Sequence, residues 1–213
     1  MAKQTKTRRA MLAGMGAMAT AGAFSADAVT AQGPAAPAPF TPAFHEEDAW
    51  MSAMPGRHRI IIDVTTPQAV PDGIRFAGNL FTGYRTGYGV AEAEVAIIMC
   101  LRHGATAHGY TDAIWSKYGK TIDPRAETPP TANPFNSGNR MALSDLAKRG
   151  VRFIVCGTAS RGLAGRIAGQ GGDADAVLRE MTANLIPNAR LVAAGVVGVA
   201  NAQARGFSLI YAG

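Results

Sequence analysis

The chain has 213 residues, a formal net charge of +6 and an apolar fraction of 47%. This length and composition are sufficient for one folded domain with its own hydrophobic core. Beyond the first few residues the sequence contains no block of lysine and arginine interleaved with aromatic side chains. The composition therefore disfavours nucleic acid as a partner.

Residues 1–31 have the composition of an export signal. Four basic residues precede an apolar stretch, and the Arg8-Arg9 pair directly before that stretch is typical of a twin-arginine signal. This pattern predicts export by the twin-arginine machinery and a periplasmic location. The apolar run is shorter than the about 20 residues of a membrane span, so we expect no stable membrane insertion after cleavage. An uncleaved membrane anchor is the alternative.

Cleavage after this segment would remove four basic residues and one acidic residue, and the net charge would fall from +6 to +3. The next segment, 32–56, is rich in Pro and Ala over its first part and predicts an extended linker. We expect the folded domain to occupy residues 57–213.

Within the domain, five short apolar runs rich in branched side chains predict strands. These runs are 58–64, 94–101, 151–156, 190–193 and 207–211. Between them, helical spacing or helix-start signals predict helices. The predicted helices are 69–84, a segment beginning at Thr111 or Asp112, 139–149, 159–168, 176–185 after an Asp173 cap, and 195–204. Residues 120–138 contain four prolines and predict a long loop that is either functional or a tolerated insertion.

Alternating strands and helices predict a sheet covered on both faces. We expect a three-layer, flavodoxin-like α/β domain with a five-stranded, mostly parallel sheet. In the expected strand order, the first strand lies between the strands that carry Cys100 and Cys156. Two strand spacings would then separate these cysteines by about 9–10 Å, which exceeds the about 7 Å between Cα atoms that a disulfide tolerates. We therefore predict two free thiols.

Three segments together resemble the DsrE/DsrF-like family: the first strand at His58–Val64, the sequence Phe153-Ile-Val-Cys-Gly157, and the tail Leu185–Tyr211. The resemblance covers about residues 57–212. It implies the three-layer fold and a trimeric or hexameric homo-oligomer. It also implies that Cys156 occupies the position of the persulfide cysteine of sulfur-relay members. Those members are cytoplasmic and have a shorter segment than 102–138, so the chain looks more like an exported branch of the family.

Cys156 also has physical features of a reactive thiol. It ends a strand and precedes a predicted helix, whose N-terminal amides, together with Arg161, favour the thiolate. Ligands of open α/β sheets bind at this edge of the sheet. A small buried apolar side chain is the alternative for Cys156, and the expected role of Cys100 is structural.

The turn after the second strand brings Arg102, His103 and His108 to the same sheet edge. We expect Arg102 and His103 to assist a thiol site and His108 to line a pocket; a metal or haem bound by the two histidines is the alternative. The sequence shows no third ligand, and we assign no metal and no cofactor. Trp115 and Tyr118 are candidates for the pocket wall, as is Phe135.

Asp63 closes the first strand, where it would face the same crevice or cap a turn. Three hypotheses follow for the whole protein, and the third is an assembly subunit, since members of the family that the chain resembles commonly form trimers or hexamers. In the first, Cys156 carries or senses sulfur, with help from Arg102, His103 and Arg161. In the second, a non-catalytic protein binds a small ligand or a metal with the turn 102–108 and the loop 120–138.

Overall fold

A computed structural model describes residues 41–138 and 141–213. The helices and strands alternate along most of this part of the chain. The strands are β1 (His58–Val64), β2 (Val95–Leu101), β3 (Arg152–Cys156), β4 (Ala189–Val192) and β5 (Ser208–Ala212). The helices are α1 (Ala49–Ser52), α2 (Val70–Tyr88), α3 (Asp112–Ile122), α4 (Leu143–Lys148), α5 (Gly157–Ala168), α6 (Ala174–Ala183) and α7 (Gly195–Ala204). Short 3-10 turns precede α1, α2, β2 and α3.

The five strands form one sheet in the order β4-β3-β2-β1-β5, and all neighbouring strands are parallel. Helices cover the sheet, so the predicted three-layer α/β class, consistent with a flavodoxin-like fold, is confirmed. The predicted position of β1 between β2 and β3 is wrong, because β2 pairs with both β1 and β3. The connections 65–94 and 102–151 are each long enough to cross the sheet in either order, and the sequence pattern does not distinguish the two orders.

The strand order determines which face each helix covers, because crossovers between parallel strands are right-handed. The chain moves in one direction from β1 to β4, so α2 to α6 lie on one face. It then returns from β4 to β5 past β1, and this reversed connection places α7 on the opposite face. The loop after β3 and the loop after β4 therefore leave toward opposite faces, and a crevice is expected between them.

The hydrophobic cores follow this division. Alternate residues of β1 and β2, such as Ile62 and Met99, pack against α2 and α4. The residues between them, such as Ile61 and Cys100, pack against α1 and α7 on the other face. A third cluster around Val155 joins the end of β3 to α3, α5 and α6.

The folded part of the chain begins earlier than the sequence indicated. Residues 46–52, which fall in the predicted linker, form a 3-10 turn followed by α1. Met51 and Met54 are buried in the core on the α7 face. The apolar side chains of this segment are too few to stand out against the Pro/Ala-rich residues before it. The predicted export signal 1–31 and the linker residues 32–40 lie outside the described residues.

The helix boundaries differ mainly at glycines. The sequence predicts a helix over 69–84, whereas α2 continues through Gly83 and Gly87 to Tyr88. Gly89 ends it with a φ of 66°, a conformation that favours glycine. In the predicted helix 139–149, the described residues are helical over Leu143–Lys148. Within the described part of the chain, no helix combines the length and apolar character of a membrane span.

Candidate functional site

Cys156 lies at the sheet edge where the loops after β3 and β4 leave toward opposite faces. It is the last residue of β3 and pairs with Val192, the last residue of β4. Gly157 begins α5, and a Cβ atom at this position would lie 2.5 Å from the carbonyl oxygen of Val192. Glycine is therefore required for the close approach of the two loops. The thiol is placed at the crevice that open α/β folds use for ligands.

The backbone of α5 contacts the sulfur of Cys156 directly. Cys156 is the N-cap of this helix, and its Sγ accepts a hydrogen bond from the Ala159 N–H at 3.5 Å. The first turn of a helix carries a partial positive charge, which stabilises an anion at this position. Cys156 is buried, with 6% of the residue exposed.

Two side chains of α5 donate hydrogen bonds across the crevice to the loop after β4. Thr158 donates a hydrogen bond from Oγ1 to the Ala193 carbonyl at 3.2 Å, and Arg161 donates from a guanidinium nitrogen to the same carbonyl at 3.4 Å. The predicted proximity of Arg161 to the strand ends is thus observed. The side chain is exposed, which leaves its remaining donors available to an anion near the crevice.

Arg102 and Asp63 form a shielded ion pair on the α7 side of the same sheet edge. Arg102 donates from Nε to one carboxylate oxygen at 2.7 Å and from a terminal nitrogen to the other at 2.8 Å. The side chains are 15% and 5% exposed, respectively. The hydrogen bonds to Asp63 raise the pKa of Arg102 above its ordinary value. The Nε and one terminal nitrogen of Arg102 are therefore used in the bonds to Asp63, and the main role of Arg102 is to neutralise the negative charge of that carboxylate.

Cys100 lies beside this ion pair and is fully buried. Burial, together with the Asp63 charge, raises the pKa of its thiol well above the ordinary value. Its Sγ donates to the Gly195 carbonyl at 3.7 Å. A Cβ atom at Gly195 would lie 2.6 Å from Cβ of Arg102, so the start of α7 needs a glycine here. The structural role expected for Cys100 agrees with this packing.

Both cysteines are free, as predicted, but for a different reason. Cys100 pairs in register with Ile154, so Cys156 lies on the neighbouring strand two residues further along. One strand spacing combined with two residue rises separates the Cα atoms by about 8 Å. A disulfide tolerates up to about 7 Å. The offset along the strands therefore separates the thiols, and no strand lies between β2 and β3.

A second cluster lies on the side of the sheet that α3 and α5 cover. His108 stacks on Trp115 with ring centroids 5.1 Å apart and meets the edge of Phe135 at 4.8 Å. These rings line a cavity of about 560 Å³ beneath the long loop, which begins at Asp123 because residues 120–122 of the predicted loop belong to α3. The predicted pocket residues His108 and Trp115 are thus brought together.

Asn133, which sequence reasoning missed, organises this cluster. It is 3% exposed and donates from Nδ2 to the carbonyls of His108 and Tyr110, both at 2.9 Å. Its Oδ1 lies 3.4 Å from Nδ1 of His108. Burial lowers the pKa of His108 to about 4 against its ordinary 6.5, so the imidazole is neutral at neutral pH. The Asn-Pro sequence at 133–134 predicts a turn and was the available signal.

The other predicted site residues are dispersed. His103 is exposed, with a φ of 51°, and no hydrogen bond within the described part joins it to Cys156. Tyr118 donates to Glu180 of α6 at 2.7 Å and is not part of the cavity wall. Asp63 lies on the α7 side of the sheet, away from His108 and Trp115, because it is two residues beyond Ile61 in β1 and strand side chains alternate between faces. Residues 41–138 and 141–213 contain no group of three His, Cys, Asp or Glu side chains arranged for a metal ion.

No protein-family model and no curated protein matches the chain. Among solved structures, the chain is similar to a protein of unknown function, MTH1491 from Methanobacterium thermoautotrophicum. The two share 17% identity with a TM-score of 0.43, over 73% of this chain and 99% of that one.

Proposed function

We propose that the protein is a thiol-based sulfur carrier in which Cys156 holds a persulfide. The observation that supports this most directly is the position of the thiol. Cys156 caps α5 at the crevice between β3 and β4, and an N–H of that helix points at its sulfur. A site of this kind stabilises a thiolate or a persulfide anion. The resemblance to the DsrE/DsrF-like family supports the same role.

In the proposed reaction, the Cys156 thiolate attacks the outer sulfur of a low-molecular-weight persulfide. The sulfur–sulfur bond of the donor breaks, and the donor leaves as a thiolate. Cys156 keeps the transferred sulfur as a persulfide, and a later acceptor thiolate removes it by the same step. The exchange is balanced without an external oxidant, because the transferred sulfur arrives already oxidised. Arg161 is a positioning residue for the anion near the crevice.

The two cysteines provide the test and its control. The full chain, folded, is mixed with glutathione persulfide and analysed by intact mass spectrometry. The wild type and Cys100→Ser should each gain one sulfur, whereas Cys156→Ser should gain none. Serine caps a helix well, and at position 100 its hydroxyl can donate to the Gly195 carbonyl, so both variants should fold. Sulfur uptake at Cys100, or none in the wild type, would contradict the proposal.

Export and assembly belong to the same proposal. The Arg8-Arg9 signal supports delivery to the periplasm, and the family resemblance supports a trimer or hexamer. Light scattering on the exported protein tests the second point. A monomeric mass would contradict the proposed trimer or hexamer. It would not bear on the thiol chemistry, which the mass-spectrometry experiment tests.

A further inference from the structure

The cavity under the loop 123–138 contains the imidazole of His108, and the neighbouring groups determine which ring nitrogen carries its proton. Both hydrogens of the Asn133 amide are used, since Nδ2 donates to two backbone carbonyls at 2.9 Å. Oδ1 therefore faces His108, and it also accepts from the Phe135 N–H at 3.1 Å. An amide oxygen can only accept, so Nδ1 of His108 must carry the proton of the neutral ring.

The opposite nitrogen, Nε2, is then a bare acceptor. Among the described residues it has no hydrogen-bond partner, and the ring lines the cavity. An acceptor beside apolar groups, in a partly shielded cavity, binds a donor more strongly than it would in water. Burial lowers the pKa of the ring, which keeps this lone pair available at neutral pH.

The rest of the wall is mainly apolar. Trp115, Phe135, Ile122 and four prolines contribute to it. The indole N–H of Trp115 already donates to the Ala107 carbonyl at 3.0 Å, so it is not offered to a ligand. The charged side chains of the wall, Asp123 and Arg125, are exposed and hydrated. The interior therefore suits a flat apolar body with one hydrogen-bond donor.

We propose that this cavity binds uncharged phenolic compounds, with the phenol hydroxyl donating to Nε2 of His108. The ring of the ligand would pack among Trp115, Phe135 and the prolines. The volume of about 560 Å³ lies in the range of small-molecule sites and accommodates more than one aromatic ring. Cys156 is not part of the wall, so this site is independent of the sulfur-carrier proposal.

The test compares p-cresol with its methyl ether, 4-methylanisole, which has a similar shape but no donor. Binding to the full chain is followed by NMR titration. The wild type should bind p-cresol about tenfold more tightly than the ether, because the ether leaves Nε2 unpaired. His108→Phe should bind the two compounds about equally, and Cys156→Ser should behave as the wild type.

A second measurement does not require the variant to fold. The nitrogen NMR spectrum of the wild-type histidines should show His108 protonated at Nδ1 and bare at Nε2, and p-cresol should shift the Nε2 signal. Equal affinity of the wild type for both compounds would overturn the proposal. A proton on Nε2 in the free protein would also overturn it. So would the absence of p-cresol binding at about 10 mM, a concentration well above the Kd of about 1 mM that corresponds to −4.1 kcal/mol.

Discussion

Asp63 and Arg102 illustrate what a shielded ion pair contributes to a sheet edge. Their two hydrogen bonds, at 2.7 and 2.8 Å, hold both charges in a largely water-free position beside Cys100. Such a pair adds little stability relative to apolar side chains of the same shape. Removal of either partner alone nevertheless destabilises the folded state, because the remaining buried charge has no counter-ion.

Removal of Arg102 should therefore destabilise the protein strongly. We expect Arg102→Met to lower the free energy of unfolding by about 3 kcal/mol, since it leaves the Asp63 carboxylate without a counter-ion. Urea denaturation measures this loss. The exposed pair Arg57–Glu94 provides a control, and Arg57→Met should cost less than about 0.5 kcal/mol. The double variant Asp63→Asn/Arg102→Met should be more stable than the sum of the single changes predicts; strict additivity would contradict the coupling.

At the scale of elements, α3 and the loop after it form one unit. The loop returns across the helix so closely that the Pro130 carbonyl occupies the place of a side chain at Gly119. Asn133 further along the same loop bonds the backbone of the 3-10 turn at His103–Gly109. The cavity wall thus depends on contacts that are distant in sequence.

A methyl group at Gly119 should displace this loop. Because its Cβ would overlap the Pro130 carbonyl, we expect Gly119→Ala to cost about 1–3 kcal/mol and to increase amide exchange over residues 123–135. Gly165→Ala in α5 is the matched control, since a Cβ there meets nothing within 4 Å. The control should stabilise the protein by up to about 1 kcal/mol, as alanine favours helix. Equal effects of the two changes would exclude the packing explanation.

At the scale of the whole molecule, the buried His108 makes stability depend on pH. Its pKa is about 4 in the folded protein and 6.5 in the unfolded chain, so between these values the unfolded state binds a proton that the folded state does not. Above pH 6.5 His108 is neutral in both states, so it does not lower the free energy of unfolding. As the pH falls from 6.5 toward 4, protonation of His108 in the unfolded chain lowers the free energy of unfolding. The loss reaches about 3 kcal/mol, from about 1.4 kcal/mol for each unit of pKa.

Denaturation curves measured between pH 7 and 4 test this dependence. The wild type should lose stability over this interval, and His108→Phe should lose much less. The nearby Asp123 raises the pKa of His108 and so moderates the effect. Acidic groups with lowered pKa values, such as Glu92 beside Arg149, titrate in both proteins and cancel in the comparison. Parallel pH profiles for the two proteins would contradict the assignment to His108.

The sequence by itself determined the fold class and most of the elements. Apolar runs such as that in β2 predict buried strands because their side chains must leave water on both faces of a sheet. The placement of Cys156 at the end of β3 follows from the same local pattern. The cap at Asp173 was also correct, since its side chain accepts from the Ala176 N–H. These features depend on residues that are close together in the chain.

Only the tertiary structure decided the strand order and the composition of the two sites. The position of β2 between β1 and β3 results from the packing of whole crossovers, which no local pattern encodes. The pairing of Asp63 with Arg102, and the contact of Asn133 with His108, join residues 39 and 25 positions apart. Loops of different length can bring such residues together or keep them separate, and the free energy that decides between these outcomes comes from the packed core as a whole.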